Sequence, residues 1–103
     1  MDTAEKEATT RLHAVVRGRV QGVGFRFWTH HTAQQLGIGH GQIRNKADGS
    51  VEVEAEHQSR EVLETLLKAL HEGPTSAHVE SVHAMWEEQT APRYEKTDGL
   101  LVA

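Results

Sequence analysis

The sequence of 103 residues contains no cysteine, which excludes disulfide bonds, thiol nucleophiles and cysteine-ligated zinc sites. No apolar run approaches the length of a membrane span, so no membrane association is expected. The chain also has no internal repeat, low-complexity tract or linker, and its length suits one core. We expect one domain over residues 11–103, a cytoplasmic location, and a flexible tail over residues 1–10 that has no signal-peptide core.

Acidic residues are absent from one long stretch of this acidic chain. The formal net charge is −4, yet no Asp or Glu occurs between Ala8 and Ala47. The basic residues in that window are Arg11, Arg17, Arg19, Arg26, Arg44 and Lys46. A local positive field in an acidic protein favours a small anionic ligand, because nucleic-acid binders usually show a broad basic face. The shortage of carboxylates also argues against a magnesium site in this part of the chain.

A glycine turn between a strand and a helix is the main motif of this window. Gly22 and Gly24 can adopt positive φ, and they place no Cβ between the backbone and a ligand. The N–H groups of such a turn, together with those of a helix that begins near Phe25, can point at one anion. Arg26 adds a planar fork of donors in the first helical turn. We interpret the segment as a cradle for a small oxyanion, formed by Gln21, Gly22, Val23, Gly24, Phe25 and Arg26.

Better-known sites do not fit the spacing. A dinucleotide-binding fingerprint needs a small residue where Phe27 stands, and a P-loop needs its second glycine where Val23 stands. Eight histidines suggest a metal site, but His30 and His31 are adjacent and diverge on a helix. We therefore expect neither a metal ion nor a cofactor.

Hydrophobic periodicity predicts the order βαββαβ with a short last strand. The predicted elements are strands at Leu12–Arg17, Gly39–Asn45, Val51–Ala55, Val79–Trp86 and Leu100–Val102, with helices at Phe25–Leu36 and from Ser59 to Gly73. This order is typical of a ferredoxin-like α+β sandwich, an antiparallel sheet with two helices on one face.

Two strands carry further local signals. Glu52, Glu54 and Glu56 alternate with apolar residues, which predicts that one face of that strand is in water and would repel a phosphate backbone. The apolar positions change parity between Val79 and Val82, which predicts a bulge or a late strand start.

Spaced pieces of sequence, in one order along nearly the whole chain, resemble the acylphosphatase family. The pieces are Gly18 to Arg26, Leu36-Gly37, Arg44-Asn45, Asp48-Gly49, the Val51 to Ala55 strand, and Gly73-Pro74 with Ala77 and Val79. The resemblance implies hydrolysis of acyl phosphates to a carboxylate and inorganic phosphate. Three positions depart from the family pattern: Gln42 stands at a common tryptophan, His57 at a frequent glycine, and Leu100 at the usual aromatic of the last strand.

The resemblance also implies roles for individual residues. The loop backbone and Arg26 would bind the phosphoryl group, and Asn45 would position water; without the family match, Asn45 is better explained as a turn residue. Arg44 and Lys46 are expected at the rim of the site. A carboxylate is a good leaving group, so the reaction needs no strong acid and no metal.

The expected partners follow from that chemistry. They are a small-molecule acyl phosphate, and inorganic phosphate as product and inhibitor, bound by a monomer with no nucleic acid or membrane. The sequence leaves one alternative open, a non-catalytic module on the same fold that binds phosphate or carboxyphosphate or docks a partner.

Overall fold

A computed structural model describes residues 8–103, which form a five-stranded sheet and two helices. The elements in chain order are β1 (Thr9–Arg19), α1 (Phe25–Gln35), β2 (His40–Asn45), β3 (Val51–His57), α2 (Arg60–Glu72), β4 (His78–Gln89) and β5 (Leu101–Val102). The strand order is β4-β1-β3-β2-β5. The predicted ferredoxin-like α+β fold is confirmed.

Both helices pack on one face of the sheet. Apolar residues of β1 and β3 share one buried cluster with Phe25 and Ala33 of α1 and with Leu63, Leu66 and Leu70 of α2. These helical residues recur every three or four positions, so each helix turns one apolar stripe to the sheet. Ser59 caps α2 as predicted, since its Oγ accepts a hydrogen bond from the backbone N–H of Val62 at 3.3 Å. Within residues 8–103, neither helix is long and apolar enough to cross a membrane.

The last strand departs from the antiparallel sheet that the sequence predicted. The pairs β4–β1, β1–β3 and β3–β2 are antiparallel, but β5 pairs in parallel with β2. The reason is the path of residues 90–100, which we call the crossover segment. It leaves β4 at one edge of the sheet, contacts β3 and β2 on the way, and enters β5 at the opposite edge.

The predicted irregularity in β4 is a bulge. Arg17 of β1 pairs with Ser81, but the next residue, Gly18, pairs with Val79, so Glu80 has no partner of its own. Gly18 has φ of +131°, and a Cβ at this position would lie 2.1 Å from the carbonyl oxygen of His78. Only glycine fits opposite the bulge.

The strand β1 begins earlier than predicted. Thr9 and Thr10 fall in the predicted tail, yet both are buried and pair with Gln89 and Glu88 of β4. Thr10 Oγ1 also donates to the Glu88 carboxylate at 3.1 Å. The sequence did not predict them as part of the strand because they are polar, and because their place in β1 depends on pairing with β4, far along the chain. Residues 1–7 of the predicted tail lie outside the described residues.

The helix-free face of the sheet corrects the prediction for β3. Glu52 and Glu56 are 6 % and 0 % exposed, so their side chains do not lie in water. Glu52 accepts a hydrogen bond from Arg44 and lies 2.7 Å from His13 Nε2. The prediction was wrong because neighbouring segments cover this face with donors. Because donors of the protein cover these carboxylates, their charge is no longer an argument against nucleic-acid binding.

The other two glutamates are engaged in the same way. Glu54 accepts from Arg11 and, at 2.5 Å, from the Tyr94 hydroxyl. Glu56 accepts from the backbone N–H groups of Arg93 and Tyr94 at 2.9 to 3.0 Å. Glu54 and Glu56 thus hold the crossover segment on the sheet.

Burial and hydrogen bonding compete in setting the pKa of these groups. Burial disfavours the ionised form of Glu54, but the hydrogen bonds from Tyr94 and Arg11 outweigh it, so its pKa lies below the ordinary value. The pKa of Glu52 is lowered likewise, because the donors Arg44 and His13 outweigh its burial. Both carboxylates therefore stabilise the fold in their ionised form.

We expect this network to make the protein sensitive to acid. The unfolded chain holds the Glu54 proton at an ordinary pKa of 4.5, above that of the folded state, so protonation favours unfolding. The free energy of unfolding should hold its full value above about pH 5 and fall as the pH is lowered through 4.5. Glu54→Gln should be less stable at neutral pH and should show a shallower decline in acid. Urea unfolding across this pH range measures both effects.

The matched control for that variant is Glu64→Gln, which removes a carboxylate exposed on α2 and paired, within residues 8–103, only with Arg60 four residues earlier. It should retain more of the acid dependence than Glu54→Gln. Equal acid dependence in wild type and Glu54→Gln would contradict the role assigned to this carboxylate.

Candidate active site

The glycine turn lies between the end of β1 and the start of α1. Gly22 and Gly24 have φ of +76° and +79°, and a Cβ at either position would have no neighbour within 4 Å. The left-handed backbone, rather than crowding, is therefore what favours glycine here. Gly24 is the N-cap of α1, and no side chain caps this helix or places a carboxylate in its first turn. The first N–H groups of α1 thus keep their preference for an anion.

This turn forms one wall of a cavity of about 120 Å³, which we call the loop cavity. Its lining residues are Val20, Gly22, Gly24, Phe25, Arg26, Phe27 and Asn45. The fold therefore brings four of the six predicted loop residues together with Asn45, although 19 positions separate Arg26 from Asn45 in the sequence. Gln21 and Val23, also predicted, do not line it. Val20 and Phe27 line it and were not predicted.

Arg26 is oriented by the end of the last strand. Its Nη1 donates to the backbone oxygen of Ala103 at 2.5 Å, and the N–H of Ala103 donates to Ile43 O on β2 at 2.8 Å. No Asp or Glu side chain among residues 8–103 forms an ion pair with Arg26. A guanidinium that is fixed in place and not paired with such a side chain suits an anionic ligand.

Asn45 is the last residue of β2 and is exposed. It lies two positions after Ile43, which is buried against the helices, so strand alternation turns Asn45 to the helix side of the sheet. Its side-chain amide makes no hydrogen bond to any residue of the described chain. One donor group and one acceptor are thus available at the mouth of the loop cavity.

The sequence predicted that Arg44 and Lys46, the neighbours of Asn45, lie at the rim of this site. That prediction was wrong. Arg44 and Lys46 both approach Glu52 on the helix-free face, Lys46 with Nζ at 4.0 Å from Oε2. Glu52 on β3 therefore offsets their charge. Arg17 approaches Asp48 in the same way, at 3.6 Å. The positive field is therefore narrower than the basic residues of the sequence suggested, because Arg17, Arg44 and Lys46 lie close to carboxylates.

Gln21 braces the loop cavity from behind. Its Nε2 donates to Lys46 O at 2.7 Å and to Ser50 O at 2.9 Å, so the loop is fixed to the turn that follows Asn45. Ser76 Oγ donates to Val23 O at 2.7 Å and holds the other side of the loop. Asp48 stabilises the turn itself, since it accepts from Ser50, and these hydrogen bonds lower the pKa of Asp48.

The three departures from the family pattern lie outside the loop cavity. Gln42 donates to Glu54 at 3.2 Å on the helix-free face, and His57 Nδ1 accepts from Ser59 N at 2.9 Å. Leu100 is fully buried in the core. Within residues 8–103, no three histidine or carboxylate side chains are grouped as a metal ion would need.

Comparison with known proteins identifies the family of this chain. The sequence profile of the family described as acylphosphatase matches residues 12–97. The chain belongs to the acylphosphatase family. Acylphosphatases with similar sequences include that of Salinibacter ruber, 47 % identical over 76 % of this chain and 80 % of the relative, and that of Mycolicibacterium vanbaalenii, 49 % identical over 80 % and 86 %. A solved acylphosphatase structure from Coxiella burnetii is 34 % identical, with a TM-score of 0.76 over 100 % of both chains.

The brace made by Gln21 can be tested separately from the chemistry. Gln21→Ala removes two hydrogen bonds, but both carbonyl oxygens also accept from backbone N–H groups of the turn. We therefore expect a loss of only about 1 kcal/mol in the free energy of unfolding. Affinity for inorganic phosphate should fall as well, because the loop is no longer fixed to the turn. Urea unfolding and phosphate titration by calorimetry measure the two effects.

The control is Gln35→Ala at the exposed end of α1, which should not weaken phosphate binding. Unchanged phosphate affinity in Gln21→Ala would show that the loop keeps its shape without the brace.

Proposed function

We propose that this protein hydrolyses the carboxyl–phosphate bond of small acyl phosphates, giving a carboxylate and inorganic phosphate, by in-line attack of water without a metal ion. One observation carries the proposal: the glycine turn, Arg26 and Asn45 meet at a single cavity of about 120 Å³. Membership of the acylphosphatase family supports the same reaction.

In this proposal the phosphoryl group binds to the glycine turn. Its oxygens accept hydrogen bonds from the N–H groups of the turn and of the first turn of α1, and from the guanidinium of Arg26. Among the described residues, the contact with Ala103 leaves the other donors of Arg26 for the phosphoryl oxygens. These donors are fixed before the substrate arrives, so they stabilise the charge of the transition state with little reorganisation.

Asn45 positions the attacking water. Its amide oxygen accepts a hydrogen bond from water while its NH₂ group donates to a phosphoryl oxygen, which holds both reactants in line. The transition state of phosphoryl transfer is loose, so the water needs orientation more than deprotonation. The carboxylate leaves without prior protonation. The described residues that line the loop cavity include no carboxylate that would hold magnesium.

Other parts of the proposal go beyond the reaction itself. Inorganic phosphate, the product, should bind the same donors and act as a competitive inhibitor. We propose a monomer as the active form. The cytoplasmic location stays a prediction from the sequence. Release of phosphate from benzoyl phosphate would separate this enzyme from a non-catalytic binding module, which no observation in the described residues favours.

Arg26→Lys tests whether the fork geometry matters. Lysine keeps the charge but cannot donate in parallel from a planar group, so kcat/KM should fall by at least about 10³-fold, and nearly as far as in Arg26→Ala. Steady-state hydrolysis of benzoyl phosphate measures the loss. Phosphate should also raise the melting temperature of the wild type more than that of Arg26→Ala, by linkage.

The matched control is Arg19→Lys, because Arg19 is exposed, lies outside the loop cavity and has no ion pair within residues 8–103. It should keep its activity. A value of kcat in Arg26→Lys near that of the wild type would refute the fork argument.

Asn45→Ala tests the placement of water. The glycine turn and Arg26 are left intact, so phosphate should still bind while kcat falls by about 10²-fold or more. Asn45→Asp should not restore activity, since a carboxylate repels the incoming phosphoryl group. The control Gln42→Ala alters the same strand on its other face.

Turnover should also survive a chelator and stay flat through neutral pH. A bell-shaped profile centred near a histidine pKa, or loss of turnover in chelator, would mean that a histidine or a metal takes part.

A further inference from the structure

A second cavity, of about 350 Å³, lies between α1 and β5. We call it the acyl groove, and the lining residues that matter here are Phe27, His30 and His31 of α1 and Leu100, Leu101 and Val102 at β5. His30 and His31 follow Phe27 by three and four positions, so each lies on the side of the helix that carries Phe27. Its surface is mostly apolar, and among residues 8–103 neither arginine nor lysine lines it.

Two large apolar side chains of the acyl groove are left in water. Phe27 is 62 % and Leu101 is 53 % exposed, and Met85 is the one other large hydrophobic residue so exposed in the described chain. Met85 lies on the helix-free face, away from both cavities near α1. A cluster of exposed apolar surface beside a polar site is typical of ligand binding, because burying it on binding is favourable.

The acyl groove adjoins the loop cavity. Phe27 lines both cavities. On the other side, Leu101 and Val102 line the groove, while the next residue, Ala103, accepts the hydrogen bond from Arg26. A group attached to a phosphoryl bound in the loop cavity therefore has an apolar channel beside it.

Hydrogen bonds and close packing hold the wall of the acyl groove in place. His30 Nδ1 lies 2.7 Å from Leu100 O, and Gly99 fits so closely that a Cβ there would lie 2.7 Å from His30 Cε1. Asp98 accepts from Gln34 Nε2 at 2.8 Å. A preformed groove loses little entropy when a ligand binds.

We propose that the acyl groove binds the acyl portion of the substrate, and that the protein therefore prefers acyl phosphates with an apolar or aromatic acyl group. This inference rests on the proposed function, because the phosphoryl group must occupy the loop cavity. The acyl carbon is one bridging oxygen away from phosphorus, so the acyl group lies just outside the loop cavity, where Phe27 forms the shared wall. A carboxylate-bearing acyl chain would find no arginine or lysine among the described residues of the groove and would face Asp98.

The test compares benzoyl phosphate with acetyl phosphate in Phe27→Ala, Leu101→Ala and the control Met85→Ala. The ratio of kcat/KM for benzoyl to acetyl phosphate should fall by about tenfold in Phe27→Ala and in the same direction in Leu101→Ala, since an apolar contact is lost for one substrate only. Met85→Ala should keep the ratio of the wild type. All three residues are exposed, so each variant is expected to fold. An equal fall for both substrates, or no fall, would overturn the proposal.

A binding measurement keeps this inference separate from the proposed reaction. The probes are phenacylphosphonate and acetonylphosphonate, in which a CH₂ group replaces the bridging oxygen, measured by calorimetry. The wild type should bind the phenyl probe more tightly, and Phe27→Ala should lose that preference. If the wild type hydrolyses neither acyl phosphate but shows this preference, the reaction is wrong and the groove assignment stands. If it hydrolyses both and shows no preference, the groove assignment is wrong.

Discussion

Three glutamates on β3 hold the helix-free half of the molecule together. Glu52 engages β1 and β2, Glu54 engages β1 and the crossover segment, and Glu56 engages the crossover segment and Gln89 at the end of β4. A carboxylate is costly to remove from water unless donors replace its hydration, so each glutamate requires its partners in place. One strand therefore fixes the spacing of β1, which leads into the glycine turn, of β2, which carries Asn45, and of the path to β5.

The fold was predictable where the signal is local. Helical spacing, the Ser59 cap and the parity change before Val82 each depend on neighbouring residues, and each has the predicted counterpart in the structure. The errors concern long-range pairing. Thr9 and Thr10 belong to β1 only because β4 extends to meet them, and the glutamates of β3 are covered only because distant segments supply donors. A pattern of alternating charge shows that a strand has two faces, but not what covers the second one.

The site could be predicted in part for the same reason. The glycines and Arg26 are contiguous, so the turn was visible in the sequence, but Asn45 was found only through the resemblance to a family. The roles of Gln21 and Phe27 were missed. Gln21 donates hydrogen bonds to carbonyl groups of another loop, which the sequence does not place beside it. Phe27 is an exposed aromatic residue within a helix, and sequence alone gives no sign that it lines two cavities.

Because β5 is short, the site can lose its shape while the rest of the fold remains stable. Only Leu101 and Val102 pair with β2, at the edge of the sheet, whereas Leu100 is anchored in the core. Detachment of residues 101–103 breaks a few hydrogen bonds and leaves the other four strands and both helices as they are. Arg26 then loses the backbone oxygen that orients it. In the proposed function, the state that binds the phosphoryl group is therefore maintained by a smaller free-energy gap than the native state as a whole, and opening at one edge of the sheet can abolish binding while the core remains folded.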